Sequence, residues 1–192
     1  DPSGADSQDD AHRDEIGIVV AGLGTDGKAY VLEDLTMKGS PAEWGAMVVS
    51  AFKRWGADRV VAEENFGGAM VKFVLQTAWA KAGLGSPPYQ PVTASRGKVV
   101  RAEPVAALYE QQIVWHMDGM PMLEAELCMM TTSGYLGDRS PNRADACVWA
   151  LTALFPSVIK EVKGLGASRG APPKINLGYA GMKQRSRIGA RG

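Results

Sequence analysis

The residues best placed to do chemistry in this sequence are acids at the ends of its elements. Glu63 and Glu64 close a short apolar run, Arg59-Val60-Val61-Ala62, which is too brief for a helix and reads as a buried strand. Open α/β sheets place their ligands at the carboxyl ends of such strands. Side chains alternate along a strand, so Glu63 and Glu64 must face opposite sides. Asp145 falls in the first turns of a helix, at the edge of the apolar stripe Ala144, Cys147, Val148, Leu151 and Phe155. Asp1 precedes Pro2, which favours an extended conformation before it, as for an acid ending a strand. Asp138 lies in a Gly-containing loop seven residues before Asp145.

Each acid also has an ordinary explanation. Acids at strand ends are mostly solvated, an acid near a helix N-terminus gains roughly 0.3–1 kcal/mol from the dipole, and Asp138 can simply face water. As a set drawn from two strand ends and a helix, they also meet the requirement of magnesium-assisted phosphoryl transfer to water. Hard divalent cations take oxygen ligands, and two ions about 3.5–4 Å apart stabilise the attacking and leaving oxygens of an in-line displacement. Spacing alone does not decide between these readings. Clustered carboxylates should repel one another, so that removing one should raise thermal stability.

Other chemistries find little support. Cys128 and Cys147, with only His12 and His116 beside them, lack the spacing of a structural zinc site and cannot form a disulfide scaffold, which points to a reduced cytosol. No nucleophile–histidine arrangement is evident. Gly22, Gly24 and Gly27 match G-x-G-x-x-G, and Gly22, Gly27 and Lys28 match most of a P-loop, but both motifs must open a helix. Here they separate two β-rich runs, Ile16–Ala21 and Ala29–Leu35, and the Asp26-Gly27 pair predicts a hairpin. The P-loop also needs Ser or Thr where Ala29 stands. The longest near-apolar runs, Ile16–Leu23 and Val148–Phe155, are far short of the roughly 20 residues of a membrane span, and no signal peptide opens the chain.

The elements that position the acids can be read in outline. Ser40-Pro41-Ala42-Glu43 is a capping box that starts a helix ending near Gly56. A second helix is predicted at about 69–82, a strand at 87–92, and a helix from about Glu103 to Gln111 with Pro104 in its first turn. An extended piece at 113–115 and a helix at 122–130 follow, and Ser140-Pro141 starts the helix that carries Asp145 and ends at Pro156. This order suggests an α/β fold with a mixed sheet covered on both faces.

The chain has 192 residues with 21 cations and 21 acids. Seven of the cations and no acid fall in residues 163–192, leaving 14 cations against 21 acids before them. The domain is therefore expected at 1–160, with a basic, flexible tail at 161–192. An acidic body argues against a simple electrostatic clamp on nucleic acid. The start at Asp1, without a methionine, suggests a piece of a longer protein.

Four segments in order resemble the nuclease domain of tailed-phage terminase large subunits. They are Asp1-Pro2 followed by Gly17-Ile18-Val19-Val20-Ala21-Gly22; Ala62-Glu63-Glu64-Asn65-Phe66-Gly67-Gly68; Arg96-Gly97-Lys98 to Arg101-Ala102-Glu103-Pro104; and Ser140-Pro141-Asn142-Arg143-Ala144-Asp145-Ala146. The resemblance covers the first residue to about Phe155. It implies a ribonuclease H-like fold, akin also to retroviral integrase, and a metal-dependent DNA endonuclease that cuts concatemeric viral DNA during genome packaging. Position by position, the catalytic and metal-binding acids become Asp1, Glu63 and Asp145, with two Mg2+ or Mn2+ ions and an activated water as nucleophile. Glu64 stays a neighbour.

Arg96, Lys98 and Arg101, just before a helix, are expected to meet DNA phosphates, although three exposed cations beside a helix are also commonplace. The resemblance further implies double-stranded DNA as substrate, an ATPase motor domain in the same polypeptide, the portal and small terminase subunit as partners, and the host cytoplasm as location. Two departures stand out: Asn142 replaces an Asp common in relatives, and the strand expected to lead into Asp1 is missing from the sequence. The alternatives are a non-catalytic docking module for portal, capsid or DNA, and a nuclease of branched DNA such as a junction resolvase.

Overall fold

In a computed structural model of the chain, the described residues are 15–64, 68–93 and 97–156. Asp1, Arg96 and the basic tail lie outside them.

The hairpin forms where the Asp-Gly pair predicts it. Strands β1 (Val19–Leu23) and β2 (Ala29–Asp34) run antiparallel, with Val19 opposite Asp34, Leu23 opposite Ala29 and an irregularity between Val20 and Ala21. The Gly24 amide donates to the Lys28 carbonyl at 2.8 Å, and Gly27 takes a positive φ of 77°. The glycine pattern therefore serves a turn, and no helix N-terminus stands there to hold a phosphate.

Helix α1 (Pro41–Trp55) starts on the expected capping box: the Glu43 amide donates to the Ser40 hydroxyl, and the Ser40 amide donates to the Glu43 carboxylate at 2.6 Å. Such a cap contributes about 1 kcal/mol. Gly56, at φ 57°, ends the helix in the left-handed conformation. Helix α1 packs on α2 (Gly68–Lys81), and a Cβ on Gly45 would press on Val74 and Ala78, so the close approach depends on glycine there. Strands β3 (Val60–Glu63) and β4 (Tyr89–Val92) pair in parallel.

Helix α3 spans Lys98–Glu110, starting five residues before the predicted Glu103, and Pro104 lies inside it. Sequence pattern favours a start beside the proline, but the added turn is held by tertiary ion pairs that local signals do not carry. Strand β5 (Val114–His116) joins β2 in parallel, giving the order β1-β2-β5. Helix α4 is shorter than predicted, Pro121–Cys128, because Met130–Thr131 (β6) turns into a small antiparallel ribbon with Gly134–Tyr135 (β7).

Helix α5 spans Asn142–Leu154. Ser140 does not cap it; Pro141 occupies the cap position, and the Ser140 hydroxyl instead accepts from Lys98 Nζ at 2.8 Å. Glu126 reaches across from α4 to accept from the Ala144 amide at 3.0 Å, doing the capping from another helix.

Two cores flank the strands. Ala29 and Val31 of β2 pack with Val105, Leu108, Leu123, Cys147, Val148 and Leu151 from α3, α4 and α5. Trp44, Val49, Leu75 and Trp79 from α1 and α2 form the second core, with Ile16, Ile18, Val60 and Tyr89 against it. Helix α5 packs against β1, β2 and β3, so one helix covers both sheets and brings its first turns to the end of β3.

Candidate active site

Two of the three expected acids meet. Glu63 is the last residue of β3, and Asp145 sits in the first turn of α5, its side chain only 12% exposed. Between them lies the guanidinium of Arg101, from the first turns of α3. Its Nη2 is 2.6 Å from Asp145 Oδ1 and its Nη1 is 3.8 Å from Glu63 Oε1. Lys98, one turn earlier, places Nζ 3.6 Å from Asp145 Oδ2. Two cations thus face two carboxylates, and the charge at this end of the strands is balanced by the chain itself.

Trp149 completes the arrangement. It follows Asp145 by four residues and so shares its helix face. Its indole N–H donates to Glu63 Oε2 at 3.0 Å, and its ring lies 4.8 Å from the Arg101 guanidinium carbon. Glu64 faces away, as strand alternation requires: Tyr89 donates its hydroxyl proton to Glu64 Oε1 at 2.9 Å. Burial, the Glu64 hydrogen bond and the Glu64 charge all push the Tyr89 hydroxyl above its ordinary pKa.

Behind the site stands Arg143, the Arg of the Ser-Pro-Asn-Arg-Ala-Asp segment, which sequence reasoning assigns no role. Its guanidinium reaches three acids on three parts of the fold: Glu15 at 2.6 Å, Asp34 at 3.1 Å and Glu126 at 3.2 Å. Burial alone would lower its pKa, but the hydrogen bonds it donates to Glu15 and Glu126 and the charges of Glu15 and Asp34 outweigh it and raise the pKa. The adjacent Asn142 amide donates to the Glu15 carbonyl at 2.8 Å. These contacts fix the first turn of α5, and with it Asp145. Gly17 belongs to the same joint, since a Cβ there would overlap the Asn142 carbonyl.

Asp138 is exposed. Among the described residues no group of three or more His, Cys, Asp or Glu gathers as a metal site. Glu63 and Asp145 nonetheless fit a hard divalent cation in donor chemistry, because both present oxygens to one shared positive charge. No helix among the described residues is long and apolar enough to cross a membrane.

A second polar chain lies in the neighbouring cavity of about 530 Å³ between α3 and α4. Tyr109 Oη is 2.7 Å from His116 Nε2, and His116 Nδ1 is 3.4 Å from Glu124. Cys147, beneath Tyr109, has its thiol pushed up to about 12 by burial, which leaves it an unreactive core residue.

Solved structures of Thermus thermophilus RuvC are similar: one in complex with a Holliday junction substrate has TM-score 0.42 and 19% identity, covering 74% of this chain and 88% of that one. Another RuvC structure has TM-score 0.39 and 18% identity, covering 74% of this chain and 87% of that one. Among curated proteins none matches. The profile of the family described as Terminase RNaseH-like domain matches residues 1–154, four-fifths of the sequence, and supplies the ribonuclease H-like fold and the nuclease character. The chain belongs to the terminase RNase H-like domain family.

Proposed function

We propose that this domain is a divalent-metal-dependent DNA endonuclease that cuts concatemeric viral DNA during genome packaging. One observation carries the reading: in a terminase nuclease family, Glu63 and Asp145 converge from β3 and α5 on a single positive charge. Asp1 would be the third acid by the family pattern, and Arg96 would join Lys98 and Arg101 in meeting DNA phosphates. Bound Mg2+ or Mn2+, two ions in this reading, would supply Lewis-acid activation of the attacking water and charge neutralisation at the phosphate.

The chain's own residues do the positioning. Glu63 and Asp145 would hold the metal; Trp149 fixes the rotamer of Glu63 through its N–H; Arg143 and Glu126 fix the helix turn that carries Asp145. Lys98 is 39% exposed and stands at the rim, where an ammonium can pair with a phosphate oxygen. The proposed setting is the host cytoplasm, with the ATPase motor of the same polypeptide presenting double-stranded DNA and with the portal and small subunit as packaging partners. The domain at 1–160 would act without the tail at 161–192, which is left for a DNA or portal contact.

The test is incubation of supercoiled plasmid with the protein in Mn2+, Mg2+ or chelator, alongside Asp145→Ala. Nicked or linear product only with metal, and none with Asp145→Ala, supports the reading. Cleavage undiminished in chelator refutes it, and no cleavage under any condition favours a docking module. Preference for branched over linear duplex would mark a junction resolvase.

A further inference from the structure

Arg101 and a divalent cation need the same oxygens. The guanidinium is the charge on which Glu63 and Asp145 converge, with Asp145 Oδ1 engaged at 2.6 Å and Glu63 Oε1 at 3.8 Å. It is 11% exposed and rests on the Trp149 ring, so it is packed in place. A dication placed between the two carboxylates would stand against a resident positive charge in a partly desolvated site, where repulsion is strong. The arginine can leave, because its long side chain springs from the first turns of α3, beside Lys98 at the rim. Without any cation there, the two carboxylates would repel each other.

We propose that Arg101 is a displaceable internal counter-ion: it holds the two acids in register before metal arrives, and metal loading expels its guanidinium toward the DNA phosphates. This rests on the endonuclease reading and adds to it a competition between metal and arginine, with the consequence that DNA and metal load together. A phosphate that captures the released guanidinium favours the metal-bound arrangement, and by linkage metal then favours DNA. Arg101 thus acts as a positioning residue in one state and a phosphate contact in the other.

The test reads metal binding directly. Mn2+ is titrated into the wild-type protein, Arg101→Gln, Arg101→Ala and Arg101→Lys, with free ion followed by electron paramagnetic resonance and folding checked by circular dichroism. Arg101→Gln keeps most of the side-chain packing, so the comparison survives if Arg101→Ala fails to fold. The expected result is tighter Mn2+ binding in the neutral variants, by roughly 5–150-fold as is usual for coupled binding events, with Arg101→Lys close to wild type. Adding Asp145→Ala to Arg101→Gln should remove the gain. In parallel, Mg2+ should change the wild-type tryptophan emission as the guanidinium leaves the Trp149 ring, and the change should vanish in Trp149→Phe. Equal or weaker Mn2+ binding in folded Arg101→Gln overturns the counter-ion role while leaving the endonuclease reading intact. No Mn2+ binding by any of the four proteins overturns both.

Discussion

The indole N–H of Trp149 donates to Glu63 Oε2 across 3.0 Å, tying the face of α5 that carries Asp145 to the end of β3 that carries Glu63. The two acids are therefore held at a fixed separation by a hydrogen bond from the helix to the Glu63 carboxylate as well as by the shared arginine. Trp149→Phe removes the donor but keeps a ring under Arg101. A hydrogen bond to a charged acceptor of this kind is worth about 1.5–3 kcal/mol. Stability should fall by no more than that, whereas plasmid cleavage should fall by about tenfold, because a misplaced ligand costs catalysis more than folding. Thermal melts and cleavage rates on the same preparation check the two numbers; equal activity would show that Glu63 needs no such anchor.

Glu63→Ala and Asp145→Ala should each abolish cleavage, while Glu64→Ala, on the opposite strand face and bonded to Tyr89, should stay within a few-fold of wild type. The geometry reverses one expectation about stability. Repulsion between clustered acids predicts a gain on removing either one, but Arg101 and Lys98 already neutralise them. Asp145→Ala leaves a largely buried guanidinium without its closest partner, so a loss of about 1–3 kcal/mol is expected by denaturant unfolding.

Much of the scaffold was legible because its signals are local. The Asp26-Gly27 hairpin, the Ser40–Glu43 capping box and the short strand ending in Glu63 are written in consecutive residues, and all three form where they are read, although the strand is half-buried and not buried as expected. The start of α3 and the cap of α5 were misplaced for one reason. Lys98 and Arg101 extend α3 through ion pairs to α5, and Glu126 of α4 caps α5 in place of Ser140. Partners 18 to 47 residues apart leave no mark in a local pattern. The same holds within the site: Trp149 was visible four residues beyond Asp145, but nothing in the sequence says its N–H would meet Glu63. Arg101 was visible as a cation, and its place between the acids was not.

Arg143 offers a test of the joint behind the site. Its fork satisfies Glu15, Asp34 and Glu126 together, a geometry that a lysine's single ammonium cannot reproduce. Arg143→Lys should destabilise by about 1–3 kcal/mol and Arg143→Ala by more, since three partly buried acids then lose their cation. Cleavage by Arg143→Lys, measured well below its melting temperature, should drop through displacement of Asp145. A melting temperature unchanged in Arg143→Ala would mean that the three acids are solvated and the clamp contributes nothing.

Gly17→Ala addresses the same joint from the strand side. The added methyl would overlap the backbone carbonyl of Asn142 and also press on Ala146, and a carbonyl at a helix start cannot swing aside as a flexible side chain can. Either the 15–18 segment or the α5 N-terminus must move. Overpacking of this kind costs about 1–3 kcal/mol, and more where backbone must shift. Gly22→Ala, whose nearest contact is an ordinary 3.6 Å to Leu32, is the control and should be nearly neutral.

His116 makes stability depend on pH in a defined direction. Burial lowers its pKa below 6.5, and the Glu124 charge and hydrogen bond only partly oppose this. Its Nε2 faces the Tyr109 hydroxyl, whose own pKa is raised chiefly by burial, so the tyrosine stays protonated throughout the neutral range. The folded state thus favours neutral histidine, and below 6.5 the unfolded chain binds the proton more readily. Unfolding free energy should therefore fall as pH drops through 6.5 toward the lower folded pKa, then stop responding to this group. His116→Gln keeps hydrogen-bonding capacity without a titrating ring and should flatten that part of the profile. Urea unfolding of both proteins from pH 5 to 8 reads the difference, and a wild-type profile that instead gains stability on acidification would mean that the Glu124 pairing outweighs burial.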